Sequence, residues 1–190
     1  MLRLTHALRD EIVRHLVAEW PNEGCGMLAG RDGTVEAVFP LRNIEIWDDL
    51  GYALYQAHPE DVLAAFQEID DRGLEFLGTF HSHPGGGAYP SGIDVRKAMP
   101  AYPDAHYLIV GLKEHWGKGW ERPGITDAEI RAFTIVDASV AEQDVLVDGV
   151  MLPKKRWWWD RPIPLIDKPS RARRRRRSTG GGRRLDTGGA

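Results

Sequence analysis

The sequence predicts an α/β domain, a mixed β-sheet flanked by helices, over residues 1–152, followed by a basic tail over residues 153–190. Three observations carry this. Short stretches with strand patterning alternate with at least two amphipathic helical patterns, as expected when a sheet and helices pack in layers. Hydrophobic residues make up 42% of the chain, an ordinary share for a globular core. The charge is divided: residues 1–152 carry 12 Lys and Arg against 25 Asp and Glu, a net of −13, while residues 153–190 carry 13 against 3, a net of +10. The change falls at Pro153-Lys154-Lys155-Arg156, and the domain boundary is placed there.

The elements follow in order. Thr5 is a candidate N-cap, and Leu8, Ile12, Val13, Leu16, Val17 and Trp20 recur at helical spacing until Pro21 stops the helix. Cys25 to Ala29 reads as a buried strand, Gly30-Arg31-Asp32-Gly33 as a turn, and Thr34 to Leu41 as the hairpin partner. Residues 43–55 are irregular: Trp47 and Asp48-Asp49 suggest a surface loop, and Tyr52 to Gln56 a short strand. Pro59 suits the first position of a second helix, with Glu60 and Asp61 favoured by its dipole and Gly73 at its end. A strand follows directly, with Leu74, Phe76, Gly78 and Phe80 expected on one face and Thr79, His81 and His83 on the other. A third, short helix should run from about Ser91 to Met99. His106 to Leu112 and Ala128 to Val136 read as strands around a loop containing Trp116 and Trp120, and Val140 to Leu152 as one further edge strand.

The stretch that carries chemistry is Gly78 to Asp94, Gly-Thr-Phe-His-Ser-His-Pro-Gly-Gly-Gly-Ala-Tyr-Pro-Ser-Gly-Ile-Asp. Side chains two apart on a strand share a face, so His81 and His83 leave the sheet together, roughly 7 Å apart at their Cα atoms. Pro84, three glycines and Pro90 then turn the chain, and Ser91 and Asp94 follow on the first turn of a helix. Two imidazoles and a carboxylate form a three-ligand set for Zn²⁺ with a fourth position for water. Taken singly, each residue has a plainer reading: a strand histidine is most often packed, and Ser-x-x-Asp is a helix-capping pattern. It is the fixed spacing of the whole that points to metal.

This pattern, His-Ser-His-Pro, six residues, Ser, two residues, Asp, resembles the JAMM motif of MPN-type (JAB domain) zinc metallopeptidases at every defined position. The stretch Pro21 to Gly30 resembles the family segment that carries an upstream glutamate, and the resemblance extends over roughly residues 2 to 137. It implies a sandwich of the MPN, cytidine-deaminase-like kind. It also implies that His81, His83 and Asp94 ligate zinc, that Glu23 is the general base, and that Ser91 helps hold the oxyanion. By itself Glu23 would read as a solvated surface charge. The compact prokaryotic members that this chain resembles imply an isopeptidase or peptidase cutting after the C-terminal Gly-Gly of a ubiquitin-like or sulfur-carrier protein.

Other readings are narrowed by absences in the sequence. The single cysteine, Cys25, excludes an internal disulfide and reads as a small buried residue rather than a nucleophile. His-Glu-x-x-His and Pro-Cys-x-x-Cys are absent. No apolar run approaches the ~20 residues that span a bilayer, and the first residues lack the apolar core of a signal peptide, so the cytoplasm is the expected location. The tail is expected to be largely disordered; Trp157-Trp158-Trp159 either latch onto the domain or, among basic residues, stack on bases or meet a membrane surface, and the run Arg173 to Arg177 offers a weak, salt-sensitive contact to a polyanion or folds back on the −13 domain. An inactive MPN-type scaffold, or a polyanion-binding protein acting through this tail, is the alternative to an enzyme.

Overall fold

The computed structural model describes residues 1–45, 54–112 and 128–154. The elements are β1 (Leu2–Leu4), α1 (His6–Glu19), β2 (Cys25–Arg31), β3 (Thr34–Leu41), α2 (Pro59–Asp71), β4 (Glu75–Pro84), α3 (Gly92–Lys97), β5 (His106–Leu112), β6 (Ala128–Val136), β7 (Ser139–Gln143), β8 (Val145–Val147) and β9 (Val150–Met151). The expectations for residues 46–53, for the loop containing Trp116 and Trp120, and for the tail from residue 155, with Trp157–Trp159 and Arg173–Arg177, lie outside the described residues.

Local chemistry sets most of the boundaries. The Thr5 hydroxyl accepts a hydrogen bond from the Leu8 amide at 3.2 Å and starts α1, which buries Ile12, Val13 and Leu16. The β2–β3 hairpin turns on Asp32 and Gly33, at φ 52° and 72°, the two-residue turn that matches strand twist. In α2, Pro59 occupies the first turn as expected, and the cap before it is His58, whose Nδ1 accepts from the Glu60 amide at 3.3 Å. The third helix ends at Lys97, two residues short of the expected Met99.

The sheet has nine strands in the order β7-β6-β5-β4-β2-β3-β1-β8-β9, with β4–β5, β1–β3 and β1–β8 parallel and the other pairs antiparallel. One edge strand, β7, is joined by Asp144 alone to β8, which lies beside the opposite edge. A one-residue link spans only a few ångströms, so the sheet curls until its ends meet. Helix α1 lies in the curl, in one core with Leu2, Leu28, Phe80, Leu108, Ala132 and Val145. Helix α2 covers the other face of β2, β3 and β4, against Met27, Ala29, Phe39 and Phe76.

Three expectations are corrected. The region 140–152 is not one edge strand: β7 ends at Gln143 and the chain crosses to β8 and β9 at the far end of the sheet, a step that only the curl makes short. Residues 54–56 form no strand; Asn43 and Ala57 make an isolated bridge instead. Phe76 and Phe80 do not share a face. Leu28 pairs with Gly78 and Ala29 with Phe76, so Leu77 is an extra residue in β4. This bulge reverses the alternation: Phe76 packs under α2, while Leu77 and Phe80 join the core around α1. Gly78 makes it possible, at φ 148° with the place of a Cβ only 1.9 Å from the His106 carbonyl oxygen. Gly78→Ala should therefore lower unfolding stability by about 4 kcal/mol, a combination of backbone strain and overpacking, measurable by urea denaturation.

Candidate metal centre

The bulge and the strand register assemble the site at the end of β4. Beyond Gly78 the alternation is regular, so His81 and His83 emerge on the face that bears α2 and α3. Cys25 is paired with His81, and continuing that antiparallel register places Glu23 beside His83. Ser82, between the histidines, locks the alignment. Its amide donates to the Gly24 carbonyl at 3.0 Å and its hydroxyl accepts from the Gly24 amide at 3.0 Å. The sequence reading gave Ser82 no role.

His81, fully buried, comes together with the partly buried His83 and with Asp94 in one group whose ligand-type atoms all lie within 4.8 Å of one another. The two Nε2 atoms are 3.0 Å apart, and each is 3.4 Å from an oxygen of Asp94, Oδ1 for His81 and Oδ2 for His83. Nδ1 of His83 is 3.1 Å from the Gly87 carbonyl. The tautomer with its proton on Nδ1 satisfies that bond and leaves a lone pair on Nε2, as a metal ligand requires. His81 differs, since its Nδ1 is buried with no hydrogen-bond partner among the described residues. The loop that supplies Gly87 is pinned through Tyr89, whose ring lies 5.3 Å from Phe133 and 5.5 Å from the Arg131 guanidinium, itself paired with Glu142 at 3.0 Å.

Ser91 and Asp94 form the capping box that their spacing suggests. The Ser91 amide donates to Asp94 Oδ2 at 2.6 Å, and the Ser91 hydroxyl accepts from the amides of Ile93 and Asp94, both at 3.2 Å. Asp94 thus holds the helix start largely with one oxygen, and Oδ1 remains available to a cation. The Ser91 hydroxyl accepts in both bonds, so the box does not use its proton.

The electrostatics follow from burial. Burial pushes Glu23 up from 4.5 to about 7; His83 and Lys97 oppose this and Asp94 adds to it. Asp94 is also buried, yet its hydrogen bonds and charge contacts with the two imidazoles hold it well below the usual carboxylate range. Burial pushes the Cys25 thiol up to about 12, which fits a packed residue better than a nucleophile.

Three further residues belong to the site and were not read from the sequence. The Tyr55 ring stacks on His81, centroids 4.7 Å apart. Lys97 donates from Nζ to the Tyr55 carbonyl at 3.0 Å. Asn43, only 3% exposed, uses its whole amide: Nδ2 donates to the carbonyls of Glu23 at 2.9 Å and Leu54 at 3.0 Å, and Oδ1 accepts from the amides of Glu45 and Gln56, both at 3.0 Å. Asn43 therefore ties the Glu23 backbone to the chain that carries Tyr55. Asn43→Ala should lower stability by about 2–3 kcal/mol, the cost of leaving buried partners unpaired.

Comparison with known proteins identifies the family. The family model described as prokaryotic homologs of the JAB domain matches residues 5–123. A probable TtuB-protein conjugate cleaving protease of Thermus thermophilus is 37% identical over 111 residues, covering 58% of this chain and 70% of the relative. A CysO-cysteine peptidase of Mycobacterium bovis is 30% identical over 142 residues, 74% of this chain and 86% of the relative. The solution structure of a protein from Desulfitobacterium hafniense superposes with a TM-score of 0.64 at 32% identity, covering 77% of this chain and 92% of that one. The match over most of the folded region, with relatives at this level of identity, places the chain in the family of prokaryotic JAB-domain proteins.

Proposed function

We propose that this protein is a zinc-dependent peptidase that hydrolyses the amide bond following the C-terminal Gly-Gly of a ubiquitin-like or sulfur-carrier protein. The observation that carries the reading is the buried convergence of His81, His83 and Asp94 with Glu23 beside them. The donor set suits zinc: two imidazole nitrogens, one of them with its tautomer fixed, and a carboxylate oxygen in a protected pocket. The names of the relatives, one a conjugate-cleaving protease and one a CysO-cysteine peptidase, support hydrolysis of a protein conjugate.

Zinc, when bound, supplies Lewis acidity that acidifies a water and polarises a carbonyl. The chain's own groups do the rest. Glu23, a buried carboxyl beside the three donor groups, is placed to take a proton and return it to the leaving amine. Ser91 Oγ donates to the oxygen that gains charge. Tyr55 covers His81 and keeps that side dry. In this reading residues 1–152 are the catalytic unit, and the basic tail with Arg173–Arg177 is dispensable for hydrolysis. The test is digestion of Gly-Gly-linked conjugates of ubiquitin-like and sulfur-carrier proteins, with products weighed by mass spectrometry. A carrier ending at its second glycine is expected; products cut elsewhere, or no cleavage with zinc present, would overturn the reading.

A further inference from the structure

An apolar cavity of about 370 Å³ opens beside the candidate centre, between α2, the sheet and the segment after α3. Its walls include Met27, Val62, Phe66, Phe76 and Met99, and among the described residues Thr79 Oγ1 is buried there without a hydrogen-bond partner. The groove that holds Glu23, Ser91 and Asp94 is very different, with a free volume of only about 10 Å³. That is about one solvent-sized sphere, so the groove offers no pocket for a side chain of a peptide passing over it. Tyr55 and Lys97 line both spaces, so the groove and the cavity adjoin through one shared wall.

We propose that the cavity is a specificity pocket for a large aliphatic or aromatic side chain immediately upstream of the two glycines of the substrate. This rests on the function proposed above and names the class of C-terminus that the site takes. An extended chain advances about 3.3 Å per residue. Two side-chain-free residues can therefore cross the narrow groove, and the next side chain arrives at the shared wall. The cavity is open to solvent on one side, and an apolar side chain entering it takes its own apolar surface and that of the walls out of water. A charged side chain would give up its hydration among these apolar walls, where the one charged group among the described residues is Lys97, on the wall shared with the groove and donating to the Tyr55 carbonyl at 3.0 Å.

The test uses the full chain with zinc and three acetylated peptides ending in X-Gly-Gly-aminocoumarin, where X is leucine, alanine or aspartate. The pocket predicts kcat/KM for leucine about 10- to 100-fold above alanine, the range that apolar pockets give, with aspartate lowest. Val62→Trp, which puts a large ring into that lining from α2, should erase the leucine preference, bringing the leucine peptide down to the rate of the alanine peptide in the same variant. Equal rates for leucine and alanine in wild type overturn the pocket, whatever the variant does. Binding of the same peptides to Glu23→Gln, followed by fluorescence anisotropy, separates the two proposals. Preferential binding of leucine without cleavage in wild type would uphold the pocket and overturn the hydrolytic reading. Peptides neither bound nor cleaved would overturn both.

Discussion

Glu23→Gln should lower kcat/KM for a Gly-Gly substrate by about 10³- to 10⁴-fold, at the upper end of what a general base contributes, while zinc content stays at the wild-type level. The substitution removes one proton acceptor from the groove and none of the three convergent donor atoms. The same variant should have an opposite effect on stability. The Glu23 carboxyl is raised in the folded state from 4.5 to about 7, so the folded protein holds this proton more tightly than the unfolded chain. Its favourable contribution is complete below pH 4.5 and is lost as pH rises through 7. Glutamine does not ionise and escapes that loss. Metal-free Glu23→Gln should thus be more stable than metal-free wild type by up to about 3 kcal/mol at pH 8, with the difference fading towards pH 4.5. Denaturant titrations at the two pH values check this. Unchanged hydrolysis would show that Glu23 is not the base, and loss of zinc would make it a ligand or a structural residue.

The cap seen at Asp94 and the metal-ligand role proposed for it separate by substitution. Asp94→Asn keeps a carbonyl oxygen for the Ser91 amide, so the start of α3 should hold and metal-free stability should stay near wild type. Asp94→Ala loses the box and should cost about 1–2 kcal/mol. Both remove the anionic oxygen beside the two Nε2 atoms. Both should therefore weaken zinc binding by more than the roughly 10- to 100-fold seen when an outer partner of a metal ligand is lost. Competition with a chromophoric chelator measures the affinity. Wild-type affinity in Asp94→Asn would reduce Asp94 to a helix cap.

Much of the fold and the site was legible from local signals. The Thr5 cap, the Asp32-Gly33 turn, the first-turn Pro59 and the Ser91–Asp94 box each depend on neighbours within a few residues, and the sequence carries such information directly. The His81, His83 and Asp94 constellation was legible for a similar reason: strand parity and a short turn bring these residues together without distant help. What was missed depends on pairing between distant segments. The bulge at Leu77 exists because β2 and β4 slip by one residue, and neither strand alone reveals it. The path of Asp144 from one sheet edge to the other follows from curl, a property of nine strands together. Asn43 and Tyr55 matter because the segments carrying them fold back onto Glu23 and His81. Glu23 itself was found only through the family resemblance. Its burial to 7% exposure, which gives the carboxyl its chemistry, is a tertiary fact.

The most direct test of the metal centre is elemental analysis joined to a zinc titration of chelator-stripped protein, followed by thermal unfolding. One zinc per chain is expected, with a rise in melting temperature that saturates at one equivalent, and both should be lost in His83→Ala. Protein that carries no transition metal, and whose melting temperature does not move on adding zinc, would contradict this expectation.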